Sequence, residues 1–204
     1  MRTLVLLLGT EGVAALSDAR ERIIIAKACG ARTPLVAWAV LQPSFVITVS
    51  WSEDYGVFAA PVPARAGSPV DVEIMAFPAR DRTTYRYRNQ LFEPITPPED
   101  GLPKKHYGVL NDSTDATAFG LLQHAIAGGE KSLLPVSFAV LSPGAPADLI
   151  PDEDVVVWSD MTTAAGTVVS AVPRNALVVP WLGRRWQCCC YEPNADAFAW
   201  IGGR

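Results

Sequence analysis

The sequence has two histidines, four lysines and four cysteines among 204 residues. Neither histidine sits in a recognisable catalytic frame. There is no GxSxG, no phosphate-binding P-loop, no GxGxxG after a strand and no HExxH. These absences remove the usual signatures of serine hydrolases, nucleotide-binding enzymes and zinc proteases, and no catalytic or metal-ligating residue is assigned from sequence. No apolar run approaches the roughly 20 residues of a membrane-spanning helix. Basic charge is also short. The net charge of −4 offers no general attraction to nucleic acid or to an anionic membrane, so no nucleic-acid partner is expected.

Half of the residues are apolar and 19% are charged, which is enough to bury a sizeable core. Seventeen prolines and fifteen glycines fit short strands and turns better than long helices. Most apolar runs are four to eight residues long, rich in Val, Ile and aromatics, and bounded by Pro, Gly, Asp or Asn. Strands are expected near 3–8, 22–28, 34–41, 45–51, 55–60, 70–76, 83–88, 105–110, 134–141, 153–158, 166–172, 176–181, 184–191 and 197–201. The spacing points to an all-β fold, an antiparallel two-sheet β-sandwich of jelly-roll or immunoglobulin-like type. One domain, 1–204, is expected, with a long proline-rich connection at 93–105. Two segments have helical features: 10–22, with Thr10 as a cap, and 115–129, where Phe119, Leu122 and Ile126 share a helical face before a glycine pair.

The first residues, MRTLVLLLGTEG, resemble a short secretory signal, but the apolar run ends early and Glu11 interrupts it, so no cleaved signal is expected. The run RRWQCCCYEP holds three of the four cysteines. In an extended strand Trp186, Cys188 and Cys190 share one face, and Gln187, Cys189 and Tyr191 share the other. Adjacent cysteines fit disulfide geometry poorly, and no second cysteine pair completes a zinc site. A plain strand is favoured over a bridge to Cys29 or a soft-metal site. Four free thiols and a cytoplasmic location follow as expectations, with export by a route lacking a cleaved signal as the rival.

Function, if it resides in loops, has two main candidates. In the turn WSEDYG, Glu53 and Asp54 are carboxylates flanked by Trp51 and Tyr55, an arrangement suited to sugar stacking. The loop NDSTD supplies Asn111, Asp112 and Asp115, hard oxygen donors of the kind that hold Ca²⁺. Asp152 to Asp154 form a third acidic segment. Trp51, Glu53, Asp54, Tyr55, Asn111, Asp112 and Asp115 are therefore the candidate ligand-binding residues, for a glycan or small polar ligand, with Ca²⁺ as the candidate ion. The strand DRTTYRYRN places Tyr85 and Tyr87 on one face and arginines on the other, as expected of a charged edge strand. The leading expectation is a non-enzymatic binding or self-assembling protein, with homo-oligomers among its partners. The alternatives are a small-molecule enzyme using Glu53, Asp54 or His106, and a membrane-active sandwich.

Overall fold

The computed structural model describes residues 1–27, 35–63, 65–95, 101–169, 172–181 and 183–201. Among them the chain runs through β1 (Arg2–Leu7), α1 (Gly9–Asp18), β2 (Arg22–Lys27), β3 (Ala37–Leu41), β4 (Val46–Trp51) and β5 (Tyr55–Ala60). It continues through β6 (Ile74–Ala76), β7 (Thr83–Arg88), β8 (Leu91–Ile95), β9 (Tyr107–Asn111), β10 (Thr117–Ala127) and β11 (Glu130–Leu141). The last strands are β12 (Pro146–Leu149), β13 (Val155–Asp160), β14 (Leu177–Val179), β15 (Trp186–Glu192) and β16 (Ala197–Trp200).

Among the described residues the fold is all-β with one ten-residue helix, but it has three sheets rather than two. Sheet I orders its strands β16-β15-β1-β4-β10-β5-β6, with β11 also paired to β10. Sheet II is β14-β13-β2-β3 and sheet III is β12-β9-β7-β8. The expected purely antiparallel pairing also fails. β1 runs parallel to β15, and β7 parallel to β9. Strands joined by hairpins must be antiparallel, whereas these partners are separated by longer stretches of chain that allow a crossover.

One hydrophobic cluster unites the layers. It takes Leu4, Val49, Val57, Phe119 and Cys189 from sheet I, Ile23, Trp38 and Val157 from sheet II, Tyr85 and Val109 from sheet III, and Leu16 from α1. A smaller cluster, including Phe58, Ala60, Ala118, Leu122 and Phe138, lies on the opposite face of sheet I, under Val36 and Val70. Strands β5 and β10 are therefore buried on both faces.

That double burial explains why 115–129 reads as a helix yet forms strand β10. Phe119, Leu121 and Ala125 face the main cluster while Ala118 and Leu122 face the smaller one, so apolar residues fall at helix-like and strand-like intervals alike. Gly128 and Gly129, at φ 59° and 85°, form the two-residue turn into β11 rather than a helix stop. Of the expected strand at 166–172, Thr167 and Val168 form isolated bridges, and residues 170 and 171 lie outside the described residues. Strands β8 and β12 were not foreseen. Pro94 belongs to β8, the edge of sheet III, where its missing N–H is tolerated, so the proline-rich connection begins later than expected. Residues 96–100 of that connection lie outside the described residues. β7, expected at an edge, lies between β9 and β8, with Tyr85 and Tyr87 buried.

The cysteine strand follows its alternation. Gln187, Cys189 and Tyr191 are buried, whereas Trp186 is exposed and Cys188 and Cys190 are half-buried. All three cysteines are free thiols, and Cys29 lies outside the described residues. Among the described residues no helix is long and apolar enough to cross a membrane.

Candidate functional site

Trp51 ends β4 pointing inward. It meets Trp38 and Trp181 edge-on at ring separations of 5.2 and 4.8 Å, and the Lys27 ammonium lies 4.4 Å from its ring centre. Trp51 is 1% exposed and Tyr55 6%, so neither ring offers an open stacking face. The Tyr55 hydroxyl is pushed well above its ordinary pKa, chiefly by burial, against an opposing hydrogen bond with Gln123. The neighbouring Tyr107 ring lies 5.9 Å from Tyr55, and burial pushes its pKa up to about 12.

The turn that follows Trp51 does meet the third acidic segment, through two cations. Glu53 pairs with Arg2, and its other carboxylate oxygen lies 3.2 Å from Lys105. Glu153 lies 2.9 Å from Arg2 and 2.6 Å from Lys105. Four charges of alternating sign thus close a ring that ties the start of β1 to the β4–β5 turn and to the loops before β9 and β13. Hydrogen bonds from Lys105 and then Arg2 hold the Glu153 carboxyl below the ordinary glutamate range. The hydrogen bond that Lys105 donates to Glu153 raises the lysine's own pKa, against the opposing effect of burial, with a smaller contribution from the one it donates to Glu53. The acids of Glu53 and Glu153 face protein cations. Asp154 accepts from the backbone N–H of Trp181 at 3.1 Å, and Asp54 stays in the turn. No three His, Cys, Asp or Glu side chains converge on a metal position among the described residues.

Asn111, Asp112 and Asp115 lie at the other end of the same strands. β5 begins at Tyr55 and ends at Ala60, and β9 begins at Tyr107 and ends at Asn111. Six extended residues separate the two ends by about 17–20 Å. The two sequence candidates therefore do not form one joint site. Asn111 itself is fully buried. Its amide donates to the carbonyls of Asp115 and Leu141, both at 2.9 Å, while its oxygen accepts from Ser113 N–H and hydroxyl. It shapes the loop rather than facing solvent.

The loop shaped in this way lines a cleft of about 550 Å³. Asp112 and Asp115 face Glu73 and the β7–β8 turn, where Arg88, Asn89 and Gln90 supply a guanidinium and two amides. Asn89 and Gln90 have φ of 50° and 59°, the paired left-handed conformation that a two-residue hairpin turn needs to match strand twist. Asp112 also approaches Arg86, at 3.8 Å. Three carboxylates against Arg88, and Arg86 behind Asp112, leave the cleft with a small surplus of negative charge. Glu73, Arg88, Asn89 and Gln90 were not singled out from sequence. The only signal was the alternation of β7, which sets Arg88 outward.

His106 precedes β9 and its Nδ1 lies 2.6 Å from an Asp148 carboxylate oxygen, with no hydroxyl or thiol bonded to the ring among the described residues. His124 on β10 bonds the Ser132 carbonyl at 3.1 Å and packs edge-on against Phe77. Compared with protein-family models, with curated proteins and with solved structures, the chain shows no match.

Proposed function

We propose that this protein is a non-catalytic binding domain whose ligand is small, polar and rich in hydroxyl or amino groups, held in the cleft between the 112–117 loop and the β7–β8 turn. The observation that carries the reading is the convergence of Glu73, Arg88, Asn89, Gln90, Asp112 and Asp115 from three separate segments on one concave surface. Paired amides and carboxylates match the donor–acceptor pattern of vicinal hydroxyls, and the surplus of carboxylates favours amino groups over phosphates. With Tyr87 buried beneath the cleft, recognition rests on hydrogen bonds rather than ring stacking. The half-buried thiols Cys188 and Cys190 suit a reducing compartment such as the cytoplasm.

Titration calorimetry with a panel of mono- and oligosaccharides, amino sugars and polyamines tests this reading, alongside amide shift mapping by NMR. Binding that perturbs residues 88–90 and 112–117, and weakens at least tenfold in Asp112→Ala or Gln90→Ala, supports it. No binding at millimolar concentration, or shifts confined elsewhere, overturns it. A second reading, a small-molecule hydrolase, draws on the His106–Asp148 pair, because a carboxylate that orients an imidazole prepares it as a base. Turnover of chromogenic esters that disappears in His106→Ala would favour that reading instead.

A further inference from the structure

The outer face of sheet I is covered over only half its width. Across β5, β10 and β11 it carries the smaller hydrophobic cluster, under Val36 and Val70. Across β4, β1 and β15 the same face is open. The register aligns Val46 with Leu7 and Cys190 in one row, and Thr48 with Val5 and Cys188 in the next. None of these six side chains carries charge at neutral pH, and Val46 is 57% exposed. Trp186 continues the face at one end and is 47% exposed. An exposed, largely uncharged patch of this size on a single chain is often a contact surface.

We propose that this face is the contact between two copies of the chain, packed sheet to sheet about a two-fold axis. Two observations select a second copy. The first is charge placement. Lys131 lies on the row of Ile126, Ser50, Thr3 and Trp186, at the β11 side. Glu192 lies on β15, six residues beyond Trp186 and on the same face. Four strand spacings and six residue rises both span about 20 Å, so Lys131 and Glu192 occupy opposite corners of a square. A two-fold axis along the other diagonal, from Trp186 through Val5 toward Val46, exchanges those corners. It sets Lys131 of each copy beside Glu192 of the other and crosses the sheets near a right angle, one of the two common sheet packings.

The second observation is area. A face about 20 Å square covers on the order of 400 Å² per copy and about 800 Å² in total, the size of a weak, transient pair. The pair is therefore expected to be reversible.

Sedimentation velocity on the full chain from about 5 to 500 µM tests the proposal. The expected result is a concentration-dependent shift from monomer to dimer. Thr48→Lys, on an exposed position, should abolish the dimer while circular dichroism and the melting temperature stay near wild type. Lys131→Glu and Glu192→Lys should each weaken association several-fold, and the two together should restore it. A chain that stays monomeric throughout overturns the proposal, as does a dimer that Thr48→Lys leaves intact. Failure of the double reversal overturns the crossed geometry. A monomer that cosediments with neutral phosphatidylcholine vesicles, and loses that property in Thr48→Lys, assigns the face to lipid and overturns the dimer.

Discussion

Lys105→Met removes one corner of the four-charge ring. The Lys105 side chain is 45% exposed and both glutamates are 40% exposed, so each of its two pairs contributes at the level of a surface ion pair, about 0.5 kcal/mol. Losing both leaves Glu53 and Glu153 facing each other with Arg2 alone between them, and the expected cost is about 1 kcal/mol at pH 7 and low salt. The pH dependence has a definite sign. Glu153 is depressed in the folded state, so its contribution is present above the ordinary glutamate pKa and is lost as pH falls through the lower folded value. Lys105 is raised, so its contribution holds below the ordinary lysine pKa and fades only as pH rises through the higher folded value. The difference between wild type and variant should therefore persist across neutral pH and close toward about pH 2. Lys105 also has φ 64°, a left-handed conformation that costs a non-glycine residue about 1 kcal/mol. Lys105→Gly loses the same charge but relieves that strain. The extra freedom of glycine in the unfolded chain offsets part of the gain, which leaves it about 0.5 kcal/mol less destabilised than Lys105→Met. Urea unfolding at pH 7 and pH 2, in about 0.1 and 1 M NaCl, reads all three quantities. A Met variant equally destabilised at pH 2, or indifferent to salt, would refute the ring as an electrostatic device.

Arg2 is only 9% exposed, pairs with both glutamates and lies 5.5 Å from the Trp181 ring centre, so Arg2→Met should cost more than Lys105→Met, about 2 kcal/mol by the same unfolding assay. At Gly120 an added Cβ would lie 1.9 Å from the Ser137 carbonyl oxygen, a backbone atom that cannot move aside. Gly120→Ala should thus lose about 2 kcal/mol or more, and a loss below about 0.5 would show that the β10–β11 ladder yields. Burial pushes the Cys189 thiol up to about 12, so native protein kept dilute enough to be monomeric and treated with iodoacetamide at pH 8 should carry label at Cys188 and Cys190 and none at Cys189 by tandem mass mapping. Cys189→Asp leaves an unpaired charge in the core and should lower stability by about 3 kcal/mol, against less than about 1 for Cys190→Ser.

How far the molecule could be read from its residues depends on how many faces of each strand meet the core. β15 has one buried face and one open face, so alternation alone set Cys189 on the face opposite its two neighbours, and the structure makes that face the buried one. β10 has two buried faces, and its apolar residues carry no phase that separates strand from helix; only the glycine pair behind it holds the answer, and that pair also ends helices. Trp51 shows a signal present but outweighed. Its parity groups it with Ile47 and Val49, the core side of β4, yet its position beside an acidic turn invited a surface role. Charge posed a different difficulty. Glu53 and Glu153 looked like ligand donors because their partners, Arg2 and Lys105, are remote in the chain, and nothing local distinguishes a carboxylate that meets a protein cation from one that meets solvent. The cleft combines both cases. Asp112 and Asp115 were visible as a polar loop, while Arg88 reaches them because β7 pairs parallel with β9, and Glu73 because its segment runs beside the end of β5, neither of which hairpin signals encode. The exposed apolar face across β4, β1 and β15 follows from the same alternation that located the core, since a strand that turns Leu4 and Leu6 inward must turn Val5 and Leu7 out.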